Sequence, residues 1–253
     1  MRCATFNILV CLILFISCSV KGQDYIKVNI PTADDESAYI WTTLQDIPFF
    51  EKNNYQVNLP AGTLVADLKS KSKTGELSDD DYERLKIFIR DSIYNRSDYL
   101  KGYEKIGDEK ALINTMINKI DRSNFNWDFK RFETYQINLT LYGPGGSYDP
   151  DEGSILIFTA PEGQFKNYDN PANTIIHEIV HMGVEESIIQ KYKVPHPLKE
   201  RIVDSFVFLN FSAILPEYRI QDMGEFRIDP YLKTKEDLKK LDKFVEQIMG
   251  ENR

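Results

Sequence analysis

The chain has 253 residues and is acidic, with 39 aspartates and glutamates against 31 lysines and arginines and a net charge of −8. An acidic chain without a basic cluster is a poor ligand for nucleic acid or for an anionic membrane surface, so neither is expected as a partner. The length is sufficient for one large domain or for two closely packed lobes.

The first 22 residues are typical of an export signal. Arg2 is followed by the apolar run "ILVCLILFI" and then by small residues, and this run is too short to span a bilayer. Cleavage after Gly22 fits the small-residue rule, while Cys18 offers the alternative of a lipoprotein site. We therefore expect an exported protein, secreted or periplasmic, that contacts a membrane only through a lipid on Cys18.

All the cysteines lie in this signal, at positions 3, 11 and 18. Once the signal is removed, the chain keeps no thiol except a lipidated Cys18. Disulfides, cysteine catalysis and cysteine metal ligation are therefore excluded for the exported chain, and the fold must depend on its core.

The N-terminal part of the exported chain predicts helices after an irregular start. Residues 23–60 show no sustained period and are predicted to be strand-like or irregular. Ser78 precedes three aspartates and a helical spacing of apolar residues, which predicts a helix over 79–94. A second helix is predicted over 108–120, and the aromatic run "NFNWDFKRFETY" is expected to pack in the core.

Residues 135–160 have the pattern of strands. Ile137, Leu139 and Leu141 alternate with polar residues, and a second apolar run, "ILIFTA", follows a glycine-rich connection. This pattern predicts a hairpin, or adjacent strands with a long connection. A calcium ion is the alternative use of three acids in the connection, but an acidic turn needs no ion and the turn is preferred. These acids are Asp149, Asp151 and Glu152.

The C-terminal part is predicted to be helical. Asn170 and Pro171 are typical of a helix start, and the helix that follows contains "ANTIIHEIVHMG". A further helix should end near Pro216, and a last one should begin at a cap formed by Thr234. Helices combined with an apparently antiparallel strand pair indicate the α+β class.

His177 and His181 are four residues apart, so on a helix their imidazoles lie on one face and can bind the same ion. Glu178 projects near the same place without being the third ligand, which suits a base that acts on a water activated by the metal. The surrounding helix is apolar, and burying three such side chains would be costly unless they shared a task.

A catalytic zinc ion usually has three protein ligands. Glu185 continues the spacing of four, but three successive ligands on one straight helix cannot close around an ion, so Glu185 and Glu186 are expected at the solvated helix end. Glu200 lies in the next predicted helix, far enough after His181 for the chain to turn and return. Asp204, one turn further on, is placed to accept the second N–H of a ligand histidine.

"HEIVH" followed after eighteen residues by "ERIVD" resembles the gluzincins, the thermolysin-like zinc metallopeptidases. The resemblance covers about residues 150–210. It implies that His177, His181 and Glu200 bind zinc. It further implies that Glu178 is the general base and that Asp204 orients a ligand histidine. It also implies a zincin-like fold, with the active-site helix beside a small, mainly antiparallel sheet. The edge strand of that sheet, expected in "GSILIFTA", would hold an extended substrate.

Peptide hydrolysis in such a site requires Glu178 to take a proton from water and return it to the leaving amine. The oxyanion that develops needs a nearby hydrogen-bond donor. Tyr218 is the preferred candidate, and the weaker ones are His196, Tyr192 and Arg219.

We therefore expect an exported zinc metallopeptidase, an endopeptidase that acts on peptide or protein substrates. It would comprise a signal (1–22), an N-terminal mixed, partly helical region (23–130) and a zincin-like catalytic core with C-terminal helices (131–253). One alternative is a catalytically silent zincin-fold binding protein at the cell surface or in the periplasm, against which the presence of Glu178 counts. Another is a structural zinc protein in which His196 supplies a fourth ligand.

Overall fold

The computed structural model describes residues 23–222 and 224–250, so the predicted signal and Cys18 lie outside the described residues. In this part of the chain, eight α-helices and a four-stranded mixed sheet form an α+β structure with a helical C-terminal part. No helix within it is both long and apolar enough to cross a membrane.

The strands are β1 (Ile26–Asn29), β2 (Tyr135–Thr140), β3 (Gly146–Asp149) and β4 (Ser154–Phe158). The helices are α1 (Ala33–Gln45), α2 (Ile47–Lys52), α3 (Thr63–Thr74), α4 (Asp79–Phe88), α5 (Leu100–Asp121), α6 (Ala172–Val184), α7 (His196–Phe211) and α8 (Leu241–Gly250). Single π-helical segments, Ile89–Ile93 and Glu185–Gln190, extend α4 and α6.

The sheet has the strand order β1-β2-β4-β3. β1 pairs with β2 and β2 with β4 in parallel, and only the β3–β4 pair is antiparallel. The prediction of a mainly antiparallel sheet is therefore wrong. The connection over 141–153 is long enough to return the chain to the start of a parallel neighbour. It also contains β3, whose sequence "GSYD" lacks the apolar alternation by which strands are recognised.

One face of the sheet forms the main core. Ile137 and Leu139 of β2 and Ile155 and Ile157 of β4 are buried in one cluster with α5, α6 and α7. Helix α6 is buried along its whole length. It therefore runs through the interior, which is why its polar residues need partners inside the protein.

The aromatic run packs in this core, as predicted. Phe125, Trp127 and Phe129 contact one another and Phe206 of α7, with ring centroids 4.9–6.5 Å apart. Gly183 of α6 leaves room for Phe129, because a Cβ at this glycine would lie 2.0 Å from the ring.

The start of the chain differs from its prediction. β1 is a strand, but most of residues 33–52 form α1 and α2 rather than an irregular segment. Thr32 caps α1 in a reciprocal pair with Asp35. Ile40 and Leu44 of α1 then pack in a second hydrophobic cluster with α3 and α4. The polar first turn and the β-branched and aromatic residues of α1 hide this helix from a pattern search.

Other predicted helices are present. Ser78 accepts a hydrogen bond from Asp81 N at the start of α4, and α5 contains the helix predicted over 108–120. Thr234 makes a capping box with Asp237 in the 3₁₀ segment that leads into α8. The division into regions at residue 130 stays a prediction.

The N-terminal helices are attached to the loop between β2 and β3. Glu36 of α1 is fully buried and accepts hydrogen bonds from Leu141 N at 2.9 Å and from Thr140 Oγ1 at 3.1 Å. Asn58 pairs through its backbone with Gly143, and its side chain donates to Leu141 O. These contacts fix the loop that leads directly into β3.

Glu36 should make the protein less stable as the pH rises. Burial raises its pKa to about 7 although hydrogen bonds from Leu141 and Thr140 oppose the shift. The folded state therefore keeps a proton that the unfolded state releases near pH 4.5, so the free energy of unfolding falls from about pH 4.5 to 7 and is level above. The loss should be on the order of 3 kcal/mol.

Urea unfolding of the Glu36→Gln variant at pH 5 and pH 8 measures this effect. The difference in stability between wild type and variant should change by that amount between the two pH values. Asp34→Asn, an exposed change on the same helix, should leave the pH dependence in this range as it is in the wild type. An equal pH dependence in wild type and Glu36→Gln would contradict the expectation.

Candidate metal centre

Helix α6 holds three polar side chains inside the core. Asn170 accepts a hydrogen bond from Ala172 N at 2.8 Å and so caps the start of the helix, as its sequence predicts. His177, Glu178 and His181 follow, and they are only 8%, 7% and 3% exposed. Three polar groups on one buried helix must find partners on other elements.

One partner is Glu200, on the first half of α7. Its Oε2 atom lies 3.6 Å from His177 Nε2 and 3.4 Å from His181 Nε2. The two Nε2 atoms are 3.0 Å from each other. Three potential ligand atoms from two helices therefore form a small triangle.

This triangle fits a tetrahedral metal ion. Ligand atoms about 2.0–2.1 Å from a tetrahedral zinc ion lie roughly 3.3–3.4 Å from one another, close to the three separations observed. His177, His181 and Glu200 therefore form a group that is suited to hold a metal ion. Across the described residues, no other set of three acidic or histidine side chains has ligand atoms that converge in this way.

A hydrogen-bond chain orients His177. Its Nδ1 lies 2.7 Å from the hydroxyl of Tyr218, and this hydroxyl donates to Asp204 Oδ1 at 2.8 Å. The hydroxyl has a single proton, so it accepts from an Nδ1–H, and Nε2 is the ring nitrogen that faces Glu200. The second Asp204 oxygen accepts from Gln221 N at 2.8 Å, which holds the carboxylate in place. A metal ligand requires this arrangement of His177, with a proton on Nδ1 and with Nε2 turned towards the ion.

His181 is held by packing. The Tyr148 ring of β3 stacks on its imidazole with centroids 5.0 Å apart and an interplanar angle of 9°. Tyr148 is itself fixed, since its hydroxyl donates to Glu185 Oε2 at 2.8 Å and receives a hydrogen bond from Lys199. His181 Nδ1 is buried without a hydrogen-bond partner. Glu185 supports the site through Tyr148 and does not belong to the ligand group.

The ligand side chains are coupled electrostatically. Burial lowers the pKa of His177, but hydrogen bonds to Asp204 and Glu200 and the charge of Glu178 raise it to about 10. Burial raises the pKa of Glu200, yet the two histidines outweigh this effect and hold that pKa far below its usual range. Without an ion the cluster therefore pairs a protonated imidazole with a carboxylate, and a metal ion would take the place of that proton on Nε2.

Glu178 lies beside this group and against β3. Burial raises the pKa of its carboxyl group above the ordinary value. Gly146 of β3 makes room for it, because a Cβ at this glycine would lie 2.5 Å from Glu178 Oε1 and 2.9 Å from Thr174 Cγ2. A buried carboxylate whose pKa is raised is a better proton acceptor than an exposed one.

A cleft opens over the ligand group. It encloses about 600 Å³ and is lined by His177, Glu178, His181 and Glu200 on one side. Other lining residues come from α1, α2 and the loop that follows α2. There the Tyr55 hydroxyl lies 2.9 Å from His196 Nε2, and His196 Nδ1 lies 3.5 Å from Glu200 Oε1.

The edge of the sheet borders the same cleft. The strand beside α6 is β3, whereas β4 lies between β2 and β3. The expectation that "GSILIFTA" supplies the edge strand is wrong for this reason. Asp149 at the end of β3 accepts hydrogen bonds from Asp151 N and Glu152 N, so it stabilises the turn.

The candidate oxyanion donors lie in different places. Tyr218 is 4% exposed and touches His177 on the side of the ring away from Glu200. Arg219 packs over the Tyr168 ring and Tyr192 under Lys191. Of the four predicted candidates, His196 lines the cleft. Its partner Tyr55 has no sequence motif that would have identified it.

Replacing Tyr218 by phenylalanine should weaken the binding of a metal ion, with zinc as the probe, by about 10- to 100-fold, the usual cost of losing the group that orients a ligand histidine. Competition with a chelator measures this affinity. Tyr168→Phe is the control, because Tyr168 stacks on Tyr218 and its hydroxyl reaches only a backbone oxygen at 3.4 Å. If Tyr218 instead donates to the substrate, Tyr218→Phe will reduce kcat and leave the zinc affinity unchanged.

The chain matches none of the protein-family models, curated proteins or solved structures with which it was compared. The geometry of the site therefore carries the functional argument.

Proposed function

We propose that the protein is a zinc metallopeptidase of the gluzincin kind with a zincin-like arrangement of its core. The observation that carries this proposal is the triangle of His177, His181 and Glu200 beside Glu178 in an open cleft. A purely structural metal site needs four protein ligands and no neighbouring base. A catalytic site needs three ligands, a base and access for a substrate.

The donor set favours zinc. Two imidazoles and one carboxylate are the ligands of a common catalytic zinc site, whereas calcium and magnesium prefer oxygen ligands alone. His177 turns Nε2 towards Glu200, because its Nδ1–H donates to the Tyr218 hydroxyl, which in turn donates to Asp204. When bound, zinc would supply Lewis-acid chemistry by polarising a substrate carbonyl and making a water easier to deprotonate.

Glu178 is assigned the general base. It lines the cleft next to the ligand group, and its burial suits a carboxylate that takes a proton from water and later gives it to the leaving amine. Gly146 keeps the Glu178 carboxylate close to β3, since a larger residue there would displace it.

Tyr55 is assigned as the donor to the developing oxyanion, and His196, whose Nε2 lies 2.9 Å from the Tyr55 hydroxyl, as the residue that positions it. Both line the cleft, and Tyr55 carries a hydroxyl that burial and the nearby Glu200 and Glu178 keep protonated, with a pKa raised to about 12. A neutral hydroxyl is a donor at all physiological pH values. Tyr218 is assigned the positioning of His177, in place of the catalytic role that its sequence position suggests.

The substrate is assigned as a peptide or protein. β3 is an antiparallel edge strand beside α6, and its Gly146 and Ser147 line the cleft. An edge strand can hold an extended peptide by backbone hydrogen bonds, which depend little on side-chain sequence. We further propose that residues 1–22 direct export, with Cys18 as the alternative point of lipid attachment. The enzyme is proposed to be an endopeptidase, which cleaves bonds within a peptide chain.

The test is to express the protein without residues 1–22, measure bound zinc and follow hydrolysis of a broad library of labelled peptides. One zinc ion per chain and chelator-sensitive cleavage are expected. Stoichiometric zinc without cleavage of any peptide would support the silent binding protein instead. A protein that binds no zinc would refute the metal centre itself.

His196 tests the third reading, that of a closed structural site. It stands outside the converging ligand group, with Nε2 against Tyr55 and Nδ1 near the Glu200 oxygen that faces away from the other histidines. His196→Ala should therefore retain zinc. Loss of zinc in this variant would favour the structural site.

A further inference from the structure

One part of the cleft lining is aromatic. Phe49 and Phe50 of α2 and Tyr55 of the following loop line the cleft, and we refer to these three residues as the aromatic wall. Phe49 is 46% exposed even though it lies in a concave part of the surface. A large apolar side chain that is open to water inside a cleft is available for contact with a ligand.

The aromatic wall is held in one position relative to the ligand group. The Phe49 ring stacks on Tyr55 at 6.2 Å and meets His196 edge-on at 5.9 Å. His196 lies one helical turn before Glu200 on α7, and its Nε2 contacts the Tyr55 hydroxyl. The wall is therefore fixed within about one turn, or roughly 6 Å along the helix, of a metal ligand.

The charges near the wall favour an uncharged group. Asp46 precedes α2, and it lines the same cleft as Glu178 and Glu200. Lys199 also lines the cleft, but it donates to the Tyr148 hydroxyl. The three residues of the aromatic wall carry no charge at neutral pH, so they offer an acidic side chain no ionic partner and an apolar one a surface to pack on.

We propose that the aromatic wall is a specificity subsite that selects peptides with a large apolar, preferably aromatic, side chain next to the bond that is cleaved. The proposal rests on the peptidase function proposed above. Aromatic pairs add to the burial of apolar area, and a cleft of about 600 Å³ has the size of a ligand site. The occupant is the substrate itself, because the wall is continuous with the ligand group and Glu178.

Peptide binding can be measured without turnover by using the Glu178→Gln protein, loaded with zinc and without it. The probes are labelled nine-residue peptides of alanine, serine and glycine in which only the central residue changes, to Phe, Leu, Ala or Glu. Fluorescence anisotropy should show that the Phe peptide binds about 10-fold more tightly than the Ala peptide. The Glu peptide should bind most weakly.

Phe49→Ala, introduced into the same protein, should weaken the Phe peptide by about 10-fold and change the Ala peptide little. Phe49→Leu should restore most of the affinity. Ile87→Ala is the control, because Ile87 is 51% exposed on α4 and does not line the cleft. A thermal melt shows that each variant is folded.

Equal binding of all peptides, no binding of any, or an equal loss for every peptide in Phe49→Ala would overturn the subsite. These outcomes are separable from failure of the proposed function, which wild-type hydrolysis reports. Selective binding without hydrolysis would refute the peptidase and keep the subsite. Hydrolysis without preference for the central residue would refute the subsite and keep the peptidase.

Discussion

Glu178→Gln should reduce kcat for peptide hydrolysis by about 10³-fold while the protein still binds one zinc ion. Glutamine has the size of glutamate but cannot accept the proton of the attacking water. Glu178 also lies outside the converging triangle of ligand atoms, so its loss leaves the metal ligands in place. The measurement is steady-state cleavage of one labelled peptide together with zinc content by atomic absorption.

The matched control is Glu186→Gln, the same chemical change at an exposed site a little further along the chain. It should keep wild-type kcat and zinc content. A Glu178→Gln protein with wild-type turnover would remove the general base from the mechanism. Loss of zinc together with activity would mean that Glu178 is itself needed to hold the metal.

The residue pairs on the two ligand helices could be predicted from the sequence, because helical spacing indicates which residues share a face. His177 with His181, and Glu200 with Asp204, are both pairs four residues apart, and α6 and α7 place both pairs toward each other. Asp204 reaches His177 partly through Tyr218, whose hydroxyl lies between them. The local pattern could find the two pairs, but it could not find the residue that joins them.

The wall of the cleft could not be predicted, since it depends on contacts between distant parts of the chain. Tyr55 and His196 are 141 positions apart in sequence. Tyr148 stacks on His181 only because the polar segment "GSYD" is an edge strand. The parallel pairing of β2 with β4 could not be predicted for the same reason, because whether two strands run parallel depends on the path of the connection between them.

The two parts of the site therefore come from different parts of the chain. The candidate ligands come from one stretch of the chain, 177–200, whereas another part of the cleft lining comes from α1, α2 and the loop after α2. Glu36 and Asn58 tie these N-terminal segments to the loop before β3. Under the proposed function, substrate selection could thus change through the N-terminal helices without altering the metal ligands.

Glu200→Gln should weaken zinc binding by at least about 100-fold, more than the loss of an orienting residue costs. The carboxylate would contribute the third ligand atom and a negative charge that offsets the charge of the ion. In wild type, free zinc at 100 times its dissociation constant should stabilise the fold by about 2.7 kcal/mol. In the variant the same zinc concentration should add only about 0.4 kcal/mol, because that concentration then equals the dissociation constant.

Urea unfolding with and without zinc gives both values, and Glu217→Gln, an exposed change just after α7, should behave as wild type. The experiment also separates a metal centre from a buried ion pair, which the same three side chains would form without an ion. An ion pair predicts that zinc leaves wild-type stability unchanged and that Glu200→Gln is destabilised in zinc-free buffer, since His177 loses a partner. Only a metal centre makes the effect of the substitution depend on zinc.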